Sequence, residues 1–367
     1  MTTPTQALSD IGVSIWLDDL SKDRLTSGSL KSLMADHNVV GVTSNPTIFA
    51  GSLANSDAYK PDIKALATEG LSPEETAFGV MVSDVQGACD LLAGVFTSTS
   101  GQDGRVSLEV SPTLAHDTEG TVKQAKELWA RVGRDNLMVK IPATREGIPA
   151  IAEVIAAGIS VNVTLIFSLE RYRMVIEAYL EGIARAQEAG HDIGAIRSVA
   201  SFFVSRVDAA IDPLLEKIGT PEALSLKSKA AIANARLAYE LFTELHSSST
   251  AEALASAGMH PQRPLWASTG VKDPALPEAL YVTELAAPET VNTMPEKTLH
   301  ATARDGGVAG DRVSGAATES REVLAALRTL GISLPDVTED LEREGVAKFI
   351  VSWHELLDTV SQAIAES

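Results

Sequence analysis

Crosslinking chemistry is nearly absent from this sequence. A single cysteine, Cys89, excludes an internal disulfide and any multi-cysteine metal site. The seven histidines are scattered, with no HxH or HExxH pair, so no metal set is expected. No GxSxG nucleophile elbow is present. Aromatic residues make up only 5% of the chain. The core must therefore come from Ala, Leu and Val, as in helix-rich α/β proteins. Positive charge is scarce: 30 Lys and Arg stand against 49 Asp and Glu, a net charge of -19. That excludes nucleic acid and an anionic membrane as general partners. The N-terminal MTTPTQALSDIGVS has no apolar signal core, and no stretch reads as long enough to span a membrane, so a cytoplasmic protein is expected. Ser/Gly-rich linkers, low-complexity tracts and internal repeats are missing too. The expectation is one domain, 1–367.

What is present is alternation. Short β-rich runs recur at 12–19, 38–46, 104–112, 136–144, 158–168, 198–206, 263–270 and 289–295. Helical periodicity fills most of the gaps. After the fifth run, Tyr172, Val175, Ile176, Tyr179, Leu180 and Ile183 recur at helical spacing, with Ser168 as a candidate cap and Gly190 as a candidate stop. Similar stripes follow the third run (Val122, Ala125, Leu128, Trp129, Val132) and the sixth (Ala230, Ala233, Leu237, Leu241, Leu245). Eight strands with helical crossovers predict an α/β fold, a (β/α)8 TIM barrel. The spacing is uneven. Extra helical segments are expected near 47–104 and 207–262, with a C-terminal helical extension over 296–367. In that extension Phe349, Ile350, Trp353 and Leu356 read as a face packed on the barrel.

Strand parity selects candidate site residues. Side chains alternate faces with period two. Val106, Leu108 and Val110 share one face of the third run, opposite Ser107 and Glu109. Leu137, Val139 and Ile141 oppose Met138 and Lys140. Val161, Val163 and Leu165 oppose Ser160, Asn162 and Thr164. Ala200, Phe202 and Val204 oppose Val199, Ser201 and Phe203. In the first run Asp18 lies opposite Ile15 and Leu17; in the second, Thr43 and then Asn45 lie opposite Val40 and Val42. The apolar face suits a helix layer. The other face points into the barrel, whose C-terminal mouth is where active sites form. Asp18, Asn45, Glu109, Lys140, Asn162, Thr164 and Ser201 should therefore converge on one pocket. Each alone has an ordinary explanation: a snorkelling lysine, its ion-pair partner, a turn dipeptide, a helix cap. Seven of the same parity do not. A lysine is costly to bury. Burial favours the neutral amine, however, and a neutral amine attacks a carbonyl. The resulting Schiff base is an electron sink that makes or breaks a carbon–carbon bond, given a proton-transfer group and polar groups to hold a hydroxylated substrate.

The segments VTSNPTIF (42–49), VSLEVSP (106–112), LMVKIPATREGIPAI (137–151), ISVNVTLIFSLERY (159–172) and SFFVSRVD (201–208) resemble the signatures of the transaldolase family. IWLDDLS (15–21) and TVNTMPEKTL (290–299) are similar to the longer actinobacterial form. The resemblance implies a class I aldolase-type barrel in the pentose phosphate pathway. It would move a dihydroxyacetone unit reversibly from sedoheptulose 7-phosphate to glyceraldehyde 3-phosphate, without a cofactor, giving erythrose 4-phosphate and fructose 6-phosphate. It further implies that Lys140 forms the Schiff base and that Asp18, with Asp19 as its rival, handles the substrate's C4 hydroxyl proton. Glu109 would shuttle protons through a water near Thr164. Asn45, Asn162 and Ser201 would hold the dihydroxyacetone hydroxyls, beside Phe203, and Arg206 the phosphate. The shorter family form carries an arginine in Ala-Ser-Phe-Arg after strand seven. Here WASTGVK (266–272) has none, and Lys272 takes the second phosphate contact by implication. Related sugar-phosphate aldolases, which release free dihydroxyacetone, tend to have glutamine at the Glu109 position and tyrosine at the Phe203 position, so both residues favour transfer. Expected partners are sugar-phosphate substrates only; monomer and homodimer both stay open.

Overall fold

Eight parallel strands close on themselves in the computed structural model, which describes residues 2–366. They are β1 (Val13–Asp18), β2 (Val39–Thr43), β3 (Arg105–Glu109), β4 (Leu137–Pro142), β5 (Val161–Ile166), β6 (Ser198–Phe203), β7 (Arg263–Ala267) and β8 (Thr290–Met294). Each pairs with its sequence neighbour, and β8 returns to β1. All eight predicted runs are strands, and the TIM barrel is the fold. Parallel strands need helical crossovers, and the predicted stripes supply them. Helix Leu169–Glu188 follows β5, with the Ser168 side chain accepting from the Arg171 N–H at 3.1 Å. Helix Thr118–Val132 is capped by Asp117 and stopped by Gly133, whose φ of 58° suits glycine. The long helix after β6 spans Ala230–His246.

The 47–104 segment holds helices Pro46–Asn55, Lys60–Thr68 and Pro73–Ser98. The last corrects the reading that no stretch reaches membrane-spanning length, since it does so by length and composition. Its Phe78, Met81, Val85 and Leu92 are buried, and it packs against β3 and the C-terminal helix (Leu334–Ala365). An apolar core helix passes the same test as a span. The C-terminal helix buries Phe349, Trp353 and Leu356 as predicted, with Ile350 partly covered. It lies against helices Pro46–Asn55 and Pro73–Ser98 and against β5.

One strand breaks the predicted parity. Pairing between β5 and β6 shifts between Val163 and Ile166, and Leu165 takes φ 59°. Parity put Leu165 outward with Val161 and Val163. The irregularity instead brings its side chain against Gly345 of the C-terminal helix, where a methyl group on Gly345 would lie 2.9 Å from Leu165 Cδ2. Period two holds only while the pleat is regular, and bulges at barrel rims re-aim a side chain.

Candidate active site

The barrel's register assembles the site. Glu109 on β3 lies beside Lys140 on β4, which lies beside Asn162 on β5. Neighbouring strands are about 4.8 Å apart, so side chains on one face of such a row meet. Lys140 is buried, and its Nζ donates to the Ser44 carbonyl at 3.0 Å. Glu109 Oε2 is 3.5 Å from the same nitrogen, an ion pair rather than a well-formed hydrogen bond. Burial pushes the Glu109 carboxyl up to about 7, against the pull of Lys140. Glu109 Oε2 and Thr164 Oγ1 are both buried without a hydrogen-bond partner. Orphaned polar atoms are costly in a core and common where a substrate must be met.

Asp18 and Asp19 diverge at the end of β1. Asp18 faces the cavity and accepts from Thr43 Oγ1 at 2.8 Å; Thr43 in turn lies 2.6 Å from Thr293 Oγ1. Loss of hydration raises the Asp18 carboxyl above its usual range, and Lys140 opposes that. Asp19 pairs with Arg24, which also holds Glu296 at 2.9 Å. Register therefore brings Asp18, not Asp19, to the lysine.

The cavity has a volume of about 180 Å³ and is lined by Asp18, Asn45, Lys140, Thr164, Ser201, Phe203, Arg206 and Lys272, among others. Three larger hollows, of about 460, 520 and 330 Å³, lie elsewhere, beside Arg171 and Glu342, beside Arg105 and Arg197, and beside Arg236 and Glu284; none contains a buried lysine–carboxylate pair. Glu109 and Asn162 do not reach the cavity wall. Asn162 is fully buried, donating to Ser107 Oγ at 3.0 Å and accepting from Ser201 Oγ at 2.7 Å. It sits one layer down and orients Ser201. Asn45 combines its two readings: its side chain caps helix Pro46–Asn55 through the Ile48 N–H at 3.0 Å, and it lines the cavity.

Arg206 lies in the first turn of helix Ser205–Ile218, half-buried, with its guanidinium 5.0 Å from the Phe203 ring centre. Among the described residues it has no ion-pair partner, and burial lowers its pKa. An unpaired guanidinium at a cavity wall suits an anion. Lys272 is exposed on the same rim. Three features escaped sequence reading. Thr43 has the right parity, and its hydroxyl partners were not foreseeable. Ser268, with φ 55°, lines the cavity beside Ser205 Oγ at 3.0 Å. Phe349 enters from the C-terminal helix, its ring centre 5.9 Å from Lys140 Nζ, and no local pattern signals that. Among the described residues no group of His, Cys, Asp or Glu could hold a metal.

The arrangement combines an amine, two carboxylates with raised pKa and a free cation. The profile of the family described as Transaldolase/Fructose-6-phosphate aldolase matches residues 15–360. The chain is similar to the transaldolase of Thermobifida fusca (strain YX), 58% identical over 365 residues, covering 100% of this chain and 99% of that one. It is 57% identical to the transaldolase of Renibacterium salmoninarum over 364 residues, covering 99% and 97%. Transaldolase 1 of Streptomyces avermitilis is 56% identical over 359 residues, covering 98% and 95%.

Proposed function

Because the chain belongs to the transaldolase/fructose-6-phosphate aldolase family, we propose that it is a transaldolase of the pentose phosphate pathway, moving a dihydroxyacetone unit between sugar phosphates through a Schiff base on Lys140. The observation that carries this reading is the buried Lys140 amine 3.5 Å from Glu109, at a cavity shared with Asp18 and the unpaired Arg206. The amine attacks the ketone of the donor sugar phosphate. Glu109 exchanges protons as the carbinolamine forms and loses water, supported by its pKa near neutrality and by the orphaned Thr164 hydroxyl nearby. Asp18 takes the proton of the C4 hydroxyl as the C3–C4 bond breaks. The electrons of that bond pass into the iminium, leaving an enamine. The enamine attacks the acceptor aldehyde, and the steps reverse. Asn45 and Ser201, with Asn162 beneath, hold the hydroxyls of the transferred unit. Arg206 and Lys272 hold the phosphate. The reading puts the enzyme in the cytoplasm, where ionised sugar phosphates are retained.

Borohydride reduction in the presence of fructose 6-phosphate tests it. The expected result is a stable secondary amine that mass spectrometry maps to Lys140. Lys140→Arg keeps a charge but cannot form the imine, so it should fold, give no adduct and lose activity by orders of magnitude. An adduct on another lysine, or substantial turnover by the variant, overturns the assignment.

A further inference from the structure

We propose that Phe349, delivered by the C-terminal helix, is a positioning residue that roofs the enamine on Lys140 and keeps proton-donating water from its carbon, so that the dihydroxyacetone unit is transferred rather than released. This rests on the Schiff-base reading above. Phe349 is 5% exposed and lines the same cavity as Lys140, Asp18 and Arg206. Its ring centre is 5.9 Å from Lys140 Nζ, so it differs from the deeper Trp353 and Leu356 of the same helix, which do not line that cavity. The helix is held where it crosses the mouth. Ser352 Oγ lies 2.8 Å from Thr47 Oγ1, two residues past Asn45. Arg171 reaches across to Glu342, with Nε to Oε2 at 3.2 Å. Trp353 packs on Phe78, ring centres 5.0 Å apart. The absence of a side chain at Gly345 lets the helix settle onto Leu165. The ring is thus fixed from outside the barrel.

The chemistry gives such a roof something to decide. Once the donor's carbon–carbon bond has broken, the enamine has two fates. In transfer, its carbon attacks the acceptor aldehyde. In release, a proton adds to that carbon and regenerates the iminium. A hydroxyl from water then adds to the iminium carbon, the carbon–nitrogen bond breaks, and dihydroxyacetone leaves with the amine restored. Release consumes one water in all. Hydrolysis of an iminium also ends the transfer route, so the two fates divide at protonation of the enamine carbon. An apolar ring over the intermediate offers that carbon no proton donor and fills the volume of a water that would be one.

The measurement is free dihydroxyacetone produced per unit transferred to erythrose 4-phosphate, with fructose 6-phosphate as donor, for wild type, Phe349→Leu, Phe349→Val and Phe349→Ala. The ratio is expected to rise with the volume removed, by about tenfold or more in the alanine variant, while leucine keeps most of the wild-type behaviour. Leucine and valine suffice for the comparison if alanine does not fold. An unchanged ratio, with both reactions slowed alike, makes Phe349 a packing residue and overturns the proposal. Borohydride trapping on the same samples separates the two readings. An adduct on Lys140 with an unchanged ratio sinks only the roof, and no adduct in wild type sinks the Schiff base beneath it.

Discussion

Glu109 and Asp18 are two carboxylates in one barrel with different neighbours. Glu109, on β3, is buried beside Lys140 on β4, and burial holds its carboxyl near 7. Asp18 stands at the mouth, braced by Thr43 and able to meet substrate. Different environments imply different steps. Asp18→Asn should still form the imine but cleave the carbon–carbon bond slowly, so that trappable adduct accumulates. Glu109→Gln should slow imine formation itself. The sign of the pH effect follows from the raised value. Below about 7 Glu109 is protonated and can supply the proton that the departing hydroxyl needs; as pH rises through 7 that supply is lost. Dehydration of the carbinolamine should therefore slow across that range in wild type and lack the inflection in Glu109→Gln. Single-turnover rates across pH check both statements, and a block at the same step in both variants refutes the division.

At the scale of the element, the turn after β4 aims the lysine. Pro142 ends the strand, and Thr144 anchors the loop by donating to the Ala115 carbonyl and accepting the Gly147 N–H at 3.0 Å. Helix Gly147–Ala156 starts there because the backbone passes itself closely: a Cβ on Gly147 would lie 2.1 Å from the Pro142 carbonyl oxygen. That contact is with backbone and cannot rotate away. Gly147→Ala should cost about 1–3 kcal/mol of stability, as overpacking does. It should also lower kcat by about tenfold or more, since a small misplacement of a catalytic group is expensive. Denaturant titration beside kcat checks this; wild-type values for both would mean that the turn has slack.

At the scale of the molecule, a chain of net charge -19 must attract anionic sugar phosphates. The general field opposes that, so specific cations at the mouth must supply it. Arg206 has the geometry: half-buried, unpaired and braced on Phe203. Arg206→Ala is expected to lower kcat/KM for fructose 6-phosphate by about 2–4 kcal/mol, roughly 30- to 900-fold, mostly through KM. Lys272→Ala, at an exposed position, should act the same way more weakly. Turnover of unphosphorylated fructose should fall far less in both. Equal losses on the two substrates would move the phosphate site elsewhere.

The β-rich runs located the eight strands, and parity along six of them selected the expected inward set. Burial of one face forces a period of two, which local sequence records. The same record placed Glu109, Lys140, Asn162 and Ser201 on the face that points into the barrel. It could not separate Asp18 from Asp19, because adjacent residues differ by one step of register, and register is set by the pairing of β1 with β2 and β8. It misjudged Leu165, because a bulge changes the face without changing composition. It could not bring Phe349 to Lys140 across two hundred residues of chain. That contact exists only because the C-terminal helix, with Gly345 against Leu165, comes to rest across the barrel mouth. Such packing between distant elements depends on the summed shape of both surfaces, which no local pattern encodes.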